Sequence, residues 1–527
     1  MDALVPLLVV VPLATAFAVV ALANLPGLAR GKSEGGDRLA GAAEPSRHRA
    51  LSLLVCAAVL ANLIISLVLL RADVGKIYVG GWTPIKALGI ELVCDGLAKL
   101  MVVIINLVAL VSIIFSWSYM QRFTKVWLFE ALFLLMTGAM NGVVLAGDLF
   151  NMYVFLEIAA ISSYALVAFG CEAEELEAAF KYLILGTVGS AFILVGVTIL
   201  YALTGHLNMA KVHELLPVVG QTSPAVLLAA AALLGGLALK AAMVPFHAWL
   251  PDAHPSAPAP ISAMLSGVLI KASGVYALAR IVFNVLGPSS EYAAILSVLG
   301  VVSMVVGMFL ALGQQDFKRL LAYSSISQAG YIVLAFGVAA HLLVTGGDRS
   351  IAALCVFGGL FHLFNHAAFK SLLFLSSGSI EQQAGTRMLK EMGGLTRRMP
   401  VTSFCCRIGA LSIAGVPPFN GFFSKLIIII ALALAGQLIL AGIAAGVAVG
   451  TLLMYVKVQR YALEGEPTGA AISAREAPVM MCVALVLLAV VCVAAGLALL
   501  PLRDMVFGPA EDVLLGSAGN LTGGVTP

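Results

Sequence analysis

Long apolar runs follow one another along almost the whole chain, and this feature limits the possible folds more than any other. The first run extends from Leu4 to Leu25, and similar runs recur between short segments that contain charges, Pro and Gly. A helix needs about 20 apolar residues to cross the hydrocarbon core of a bilayer. Because the runs are continuous and do not alternate with a period of two, they predict membrane-spanning helices and exclude a β-barrel.

Composition narrows the classes of protein that remain. Of 527 residues, 61% are apolar and only 11% are charged, whereas soluble domains carry about 25% charged residues. The net charge of +3 is too small for a nucleic-acid-binding protein, so we expect no nucleic-acid partner. The eight cysteines form no Cys-x-x-Cys pair, and no Gly-rich nucleotide loop or haem attachment motif is present. We therefore expect no cofactor, no metal site and no redox chemistry in this chain.

Fourteen apolar segments are predicted to span the membrane. The first lacks a preceding basic region and a clear cleavage site, so we interpret it as a retained helix and not as a signal peptide. The fold class is therefore an all-α polytopic membrane protein with about 14 transmembrane helices. The predicted spans lie near residues 3–25, 50–71, 92–118, 126–146, 148–170, 177–204, 224–247, 257–286, 291–313, 318–341, 350–379, 401–432, 434–461 and 477–501.

The distribution of basic residues predicts the orientation of these spans. Loops on the inner side of a membrane are enriched in Lys and Arg. With the amino terminus outside, 16 basic residues fall in inner segments and 6 in outer segments, so we expect both termini outside the cell (inner) membrane. The inner set is Arg30, Lys32, Arg38, Arg47, Arg49, Arg122, Lys125, Lys318, Arg319, Arg387, Lys390, Arg397, Arg398, Lys457, Arg460 and Arg475. The outer set is Arg71, Lys76, Lys86, Lys211, Arg349 and Arg503.

Five ionisable residues lie deep within predicted spans: Glu157, Lys240, Lys271, Lys370 and Lys425. A single charge at the centre of a bilayer costs about 2.5 to 3.5 kcal/mol on insertion scales. Together they would cost on the order of 12 to 18 kcal/mol, which equals the stability of a whole domain. We therefore expect them to share a hydrated interior in which they interact. Static ion pairing is the alternative, but one acid among four bases is poor stoichiometry for it.

A polar stripe marks the eleventh predicted span. His362, His366 and Lys370 are spaced at i, i+4 and i+8, which places them on one face of a helix. Buried lysine and histidine exchange protons readily, whereas arginine does not. The stripe therefore predicts a proton relay together with the other deep residues.

Other charged residues in the spans have simpler interpretations. Lys99 follows Asp95 by one helical turn, so we expect the two to neutralise each other. Lys181 and Arg407 lie near inner helix ends, and Arg280 lies near an outer end. Such side chains can extend to the membrane interface.

Proline clusters predict breaks in two helices. Pro245, Pro251 and Pro255 follow Lys240, and Pro417 and Pro418 interrupt the twelfth span. The breaks are five spans apart, so the broken helices run in opposite directions. This arrangement predicts an inverted repeat of spans 4–8 and 9–13 with ion sites at broken helices 7 and 12. The predicted domains are residues 1–120, a first repeat at 121–286, a second at 287–461 and a C-terminal segment at 462–527.

Four ordered motifs add a resemblance. They are GDLFNMYVFLE (147–157), a segment that begins KAAMVPFHAWLPDAHPSAPAP (240–280), HLFNHAAFKSLLFLSSGSI (362–380) and GVPPFNGFFSK (415–425). These strings resemble the proton-conducting antiporter-like family, which supplies large membrane subunits to respiratory complex I, Mrp-type sodium/proton antiporters and energy-converting hydrogenases. The resemblance covers roughly residues 90 to 460, and the segment 147–169 looks most similar to the D-type Mrp subunit and its hydrogenase relatives.

The resemblance implies roles for residues of this chain. Glu157 would pair with Lys240, Lys271 would be the central lysine, His362 and His366 the polar histidines, and Lys425 the terminal group. It implies a proton-translocating subunit whose partners are other membrane subunits, protons and lipid. Whether sodium is also transported stays open. A pumping subunit of an NADH-quinone oxidoreductase and a self-sufficient cation/proton antiporter stay as alternatives.

Overall fold

Helices make up nearly all of the computed structural model, which describes residues 1–25, 45–79, 90–466 and 469–516. Two short strands, β1 (Lys76–Val79) and β2 (Ile90–Val93), pair antiparallel. The helices of seven or more residues are α1 (Leu4–Ala23), α2 (Pro45–Leu70), α3 (Gly96–Tyr119), α4 (Val126–Leu145), α5 (Leu149–Val167), α6 (Ala173–Thr204), α7 (Met209–Val219), α8 (Pro224–Lys240), α9 (Leu250–Ser256), α10 (Ala259–Leu286), α11 (Ser290–Gly313), α12 (Phe317–Thr345), α13 (Arg349–Ala384), α14 (Pro400–Ala414), α15 (Asn420–Leu434), α16 (Leu438–Leu463), α17 (Val479–Leu497) and α18 (Gly508–Leu515).

Twelve helices in the described residues are long and apolar enough to cross a membrane, which confirms the all-α polytopic fold. Three shorter apolar helices, α8, α14 and α15, occupy the seventh and twelfth predicted spans. The count of fourteen stays a prediction, because it requires these short helices to complete two further crossings. Of the basic residues used for the orientation, Arg30, Lys32, Arg38 and Lys86 lie outside the described residues.

Buried asparagines hold the first four helices together. Pro12 lies inside α1 and has no amide hydrogen, so it leaves the carbonyl of Leu8 without its helical donor. Asn62 of α2 and Asn141 of α4 both donate to this carbonyl, at 3.0 and 2.9 Å. The carbonyl freed by a proline in one helix thus accepts hydrogen bonds from side-chain amides of two others.

The seventh predicted span ends earlier than expected. α8 stops at Lys240, and the next residues form a turn in which Ala242 has a positive φ of 53°. The amide of Met243 donates to the carbonyl of Ala238 at 2.9 Å, a six-residue closure typical of a helix C-terminus. Lys240 is therefore the last residue of its helix and not a residue within a continuous span.

A second break with the same backbone pattern separates α14 from α15. Gly415 has a φ of 81°, and the amide of Val416 donates to the carbonyl of Leu411 at 3.0 Å. A proline follows three residues after the left-handed position in each break, at Pro245 and Pro418. The residue two positions before the left-handed one is Lys240 in the first break and Ile413 in the second.

The N-termini of α5 and α12 are also capped in the same way, each by an aspartate. Asp148 caps α5 and bridges to Asn208, four residues after the end of α6. Asp316 caps α12 and bridges to Met388, four residues after the end of α13. Such paired features are expected of the predicted repeat of spans 4–8 and 9–13. The domain boundaries at residues 120, 286 and 461 stay predictions.

Candidate functional site

Glu157 and Lys240 form the first part of a buried row of ionisable groups. Glu157 is the ninth residue of α5, and Lys240 ends α8. The Lys240 Nζ lies 3.5 Å from Glu157 Oε1, and the hydroxyl of Ser190 on α6 donates to the same oxygen. The expected pair is therefore present, with a serine donor that sequence reasoning missed. A lone serine within the apolar α6 was the available signal.

A small cavity adjoins Lys240 on the side of α10. Its volume is about 10 Å³, which is close to the room that one water needs. Tyr182 and Trp249 form part of its wall and stack at 4.1 Å between ring centroids. The cavity reaches α10 at Leu269 and Ser273, two residues before and two after Lys271. It thus lies between Lys240 and α10, the helix that carries the next lysine.

Lys271 is the central lysine of the row. Its side chain is buried and its Nζ donates to the carbonyl of Ser266. α10 departs from regular α-helical geometry here, with wide turns at 265–269 and 271–276. The Ser266 hydroxyl lies 2.7 Å from the hydroxyl of Ser325 on α12. These contacts connect Lys271 to the middle of the second half of the chain.

Lys370 lies at the other end of this serine connection. Its Nζ donates to the carbonyl of Leu321 at 2.7 Å and to the hydroxyl of Ser324. Ser324 also lies 3.2 Å from the hydroxyl of Tyr455 on α16. The Ser325 hydroxyl donates to the same carbonyl of Leu321 at 2.9 Å, so the two adjacent serines of α12 lie between Ser266 and Lys370. Sequence reasoning missed both serines, although they stand as a pair in an apolar helix.

The histidine stripe continues from Lys370 along α13. The rings of His362 and His366 are parallel, with centroids 6.3 Å apart. His362 Nδ1 lies 2.9 Å from the hydroxyl of Ser424 on α15. Both ring nitrogens of His366 lack a hydrogen-bond partner among the described residues although the ring is buried. Buried polar atoms usually have partners, so this position is suited to ordered water.

Lys425 ends the row beside the second helix break. Its Nζ donates to the carbonyl of Ile413 at 2.7 Å and lies 5.3 Å from the centre of the Tyr331 ring. The Tyr331 ring is 5.6 Å from that of His362. All seven predicted site residues therefore lie in one connected region, although the proton-relay role of each stays a prediction.

The row contains few acids. In the part of the chain that the structure describes, Glu157 is the acid in ion-pair contact with a lysine of the row, and Lys271, Lys370 and Lys425 contact neutral oxygens. Glu91, Glu130 and Glu511 are buried acids that sequence reasoning missed, and Glu130 accepts a hydrogen bond from Ser52. Glu130 lies near the start of α4, where neighbouring basic loops obscured it.

The expected pairing of Lys99 with Asp95 is wrong. Asp95 caps α3 by accepting from the amide of Ala98 at 2.9 Å, so its carboxylate points back across the helix start. Arg280 binds that carboxylate at 2.6 Å and is itself buried, which also corrects its expected position at the interface. Lys99 instead donates to the carbonyl of Ala72 at 2.6 Å.

Comparison with known proteins gives the family of this chain. The profile described as "NADH:quinone oxidoreductase/Mrp antiporter, TM" matches residues 146–452. The chain is 37% identical over 438 residues to the N-type subunit of the NADH-quinone oxidoreductase of Desulforudis audaxviator, covering 82% of this chain and 84% of that protein. It is 32% identical over 429 residues to the D-type subunit of the Na(+)/H(+) antiporter of Alkalihalophilus pseudofirmus, covering 80% and 83%.

Two solved structures share the fold over nearly their whole length. A chain of the Mrp complex from Dietzia sp. DQ12-45-1b has a TM-score of 0.85 at 28% identity, with 98% of both chains covered. A chain of the membrane-bound sulfane sulfur reductase, an archaeal respiratory membrane complex, has a TM-score of 0.83 at 30% identity, with 99% of this chain and 100% of that chain covered. These relatives are subunits of multi-subunit membrane complexes, and the chain belongs to the NADH:quinone oxidoreductase/Mrp antiporter transmembrane family.

Proposed function

We propose that this chain is a proton-translocating, antiporter-like subunit of a multi-subunit membrane complex of the Mrp antiporter D or energy-converting hydrogenase type. Glu157, Lys240, Lys271, Lys370, and Lys425 carry the proton relay, assisted by His362 and His366. The relatives include an antiporter subunit and an oxidoreductase subunit, so a pumping role in an NADH-quinone oxidoreductase is the alternative.

One observation carries this proposal: within the described residues, three buried lysine amines contact neutral oxygens and no carboxylate. Lys271, Lys370 and Lys425 each donate to a backbone carbonyl. Static pairing would require a carboxylate for each, because an uncompensated buried ammonium is costly. An amine that changes its protonation state fits such surroundings, since the neutral form avoids the desolvation cost and the charged form is held by carbonyl dipoles and water.

Glu157 provides the element that can change the charge of Lys240. Two unit charges 3.5 Å apart attract by about 5 kcal/mol at an effective dielectric constant near 20. This exceeds the cost of about 2.5 to 3.5 kcal/mol for placing one charge in a span. While the pair is closed, Lys240 keeps its proton. When the pair opens, burial favours release of that proton toward the cavity and Lys271.

The surface at Glu157 supports the proposal of partner subunits. Its side chain is 26% exposed at the middle of α5, whereas the Lys240 side chain is 5% exposed. A carboxylate facing lipid at that depth is unfavourable. We infer that another membrane subunit with polar groups covers this face of α5, and that the chain lies in the cell membrane with both termini outside.

The test is proton flux in proteoliposomes that contain the complete purified complex. An imposed membrane potential drives protons, and an enclosed pH-sensitive dye reports them. Flux above that of empty liposomes is expected, and it should be lost in Lys271→Ala. A second arm replaces the potential with a sodium gradient, with choline as the control cation. Proton flux only with sodium would identify sodium-coupled antiport, and no flux in either arm would overturn the proposal.

A further inference from the structure

A charged vestibule opens where helix ends of the two predicted repeats meet. Its cavity has a volume of about 320 Å³. The lining side chains are mostly ionisable and come from both predicted repeats: Glu174, Glu177, Lys181, Asp252, Asp316, Arg319 and Arg387. All lie at helix ends that the positive-inside rule places on the inner side. No member of this set belongs to the relay described above.

The charges of the vestibule are held against one another. Asp252 binds Lys181 at 3.2 Å and Arg319 at 3.3 Å, and Asp316 binds Arg387 at 3.2 Å. With four acids and three bases in the lining, the vestibule carries no excess positive charge. It is therefore better suited to water and protons than to an anionic ligand.

A buried ion pair lies behind the wall of the vestibule. Lys318 follows Asp316 on α12, and its Nζ lies 2.8 Å from Glu381 Oε2 near the end of α13. The same Nζ donates at 3.3 Å to the carbonyl of Ala257, the residue after the lining residue Ser256. The Lys318 side chain is 3% exposed and that of Glu381 is 22% exposed, so the carboxylate is the more accessible member.

A short polar route leads from this pair to the relay. Lys370 donates to Leu321 and Ser324, three and six residues along α12 from Lys318. At 1.5 Å per residue the separation along the helix is about 5 to 9 Å. Along α13, Ser377 stands one turn from Glu381 on the same face as Lys370.

His254 lies beside this route and lacks partners for both ring nitrogens in the described part of the chain, although it is fully buried. Its ring packs on Phe374 at 4.8 Å, and Phe374 lies 5.9 Å from the Nζ of Lys370. Unpaired buried nitrogens indicate a place for ordered water. Water at His254 would fill the gap between Glu381 and Lys370.

We propose that the vestibule is the inner mouth of the proton route and that Glu381, paired with Lys318, passes protons between it and Lys370. This inference rests on the proposed function and adds an access route to the same relay. The Glu381 carboxylate takes a proton from a hydronium ion in the vestibule and leaves a water. The carboxylic acid then gives this proton through water to the neutral Lys370 amine. Glu381 becomes a carboxylate again and returns to Lys318.

The first test measures inward and outward proton flux of the Glu381→Gln complex in proteoliposomes. Glutamine keeps the shape but cannot ionise, so we expect flux to fall by about tenfold or more. Glu464→Gln is the matched control. Glu464 is an exposed acid at an inner helix end, 3.6 Å from Arg407, and its loss should leave flux unchanged. Co-purification of partner subunits reports assembly of each complex.

The second test measures water access and is independent of flux. In a Cys171→Ser background, which removes the exposed native thiol, Ser377→Cys is treated with a membrane-impermeant thiol reagent from either side. We expect labelling from the inner side only. Leu375→Cys is the control: both positions are buried, but Leu375 faces about 200° away around the helix and should stay unlabelled.

The outcomes distinguish a failure of this inference from a failure of the proposed function. Absence of flux in the wild-type complex would overturn the proposed function. Normal flux in assembled Glu381→Gln, or no inner-side labelling of Ser377→Cys, would overturn the access route and leave the relay intact. If Glu381→Gln fails to assemble, the labelling result decides.

Discussion

The two helix breaks have the same backbone pattern but place their lysines on opposite sides of it. Lys240 precedes the first break as the last residue of α8 and contacts the carboxylate of Glu157. Lys425 follows the second break, on α15, and donates to the carbonyl of Ile413. Ile413 stands two residues before the left-handed Gly415, as Lys240 stands two before Ala242. The second lysine thus binds the backbone at the position that the first lysine occupies.

This difference assigns different electrostatics to two similar sites. A full negative charge near Lys240 favours the ammonium strongly and can be removed by moving one side chain. Carbonyls at a helix C-terminus carry only partial negative charge and are fixed in place. In the proposed relay, the first break would therefore change the protonation of its lysine, and the second would hold a proton weakly before its release.

Removing the lysine that joins the two halves should have the largest effect. We expect Lys271→Ala to lower proton flux by about 100-fold or more, because the amine between the cavity and the serines is lost. Lys271→Arg should be equally inactive, since arginine keeps its proton near neutral pH. Flux in proteoliposomes measures both. Full activity of the arginine variant would show that Lys271 acts as a fixed charge.

The second-largest effect is expected from removing the charge of Glu157, the carboxylate that contacts Lys240 at the first break. Glu157→Gln should lower flux by about tenfold to 100-fold, because Lys240 loses the charge that controls its protonation. Glu464→Gln serves as control, since Glu464 is 59% exposed and pairs with Arg407 away from the row and the vestibule. The same flux assay applies. Wild-type flux in assembled Glu157→Gln would remove the electrostatic distinction between the two breaks.

The serine donor to Glu157 should have a smaller effect. Ser190→Ala removes one hydrogen bond to the carboxylate, and a bond of this kind contributes about 0.5 to 3 kcal/mol. We expect a change in flux of about three- to tenfold. Ser297→Ala is the control, because that serine donates only to the carbonyl of Ala293 within its own helix. Equal effects of the two changes would exclude a specific role for Ser190.

Substitutions of Gly415 and Ala242, the residues with positive φ in the two breaks, should affect stability more than transport. Gly415→Ala places a Cβ at a φ of 81° and should destabilise the fold by about 1 to 2 kcal/mol. Ala242→Gly should change stability by less than about 1 kcal/mol, because relief at a φ of 53° offsets the added chain entropy.

Thermal unfolding of the complex in detergent measures both changes. Gly442→Ala on α16 is the control, since its Cβ would meet nothing within 4 Å. A stable Gly415→Ala variant would show that the second break tolerates a side chain that its backbone pattern disfavours.

Prediction from sequence was most direct for residues whose type is unusual in a membrane helix. A charge in an apolar run must be explained whatever surrounds it, so Glu157, Lys240, Lys271 and Lys425 could be selected before any contact was known. The helical period placed His362, His366 and Lys370 on one face. These predictions depend on local chemistry and on the bilayer as solvent.

Reasoning failed where a residue had two possible partners. Lys99 is one turn from Asp95, yet Arg280, 185 residues farther along the chain, binds that carboxylate. The serine pair between Ser266 and Lys370 gives only a weak signal, because serine is common in membrane helices and its role depends on what faces it. The end of α8 at Lys240 was also missed, since apolar residues continue beyond it.

The sequence by itself determined that this chain is a helical membrane protein with ionisable residues in its apolar segments, and it predicted breaks in two helices, because hydropathy, helical period and proline act over a few residues. The tertiary structure alone decided which oxygen each amine contacts, where Glu157 is exposed and how the vestibule forms. These properties arise from helices distant in sequence, and the packing that brings them together is not encoded in any single segment.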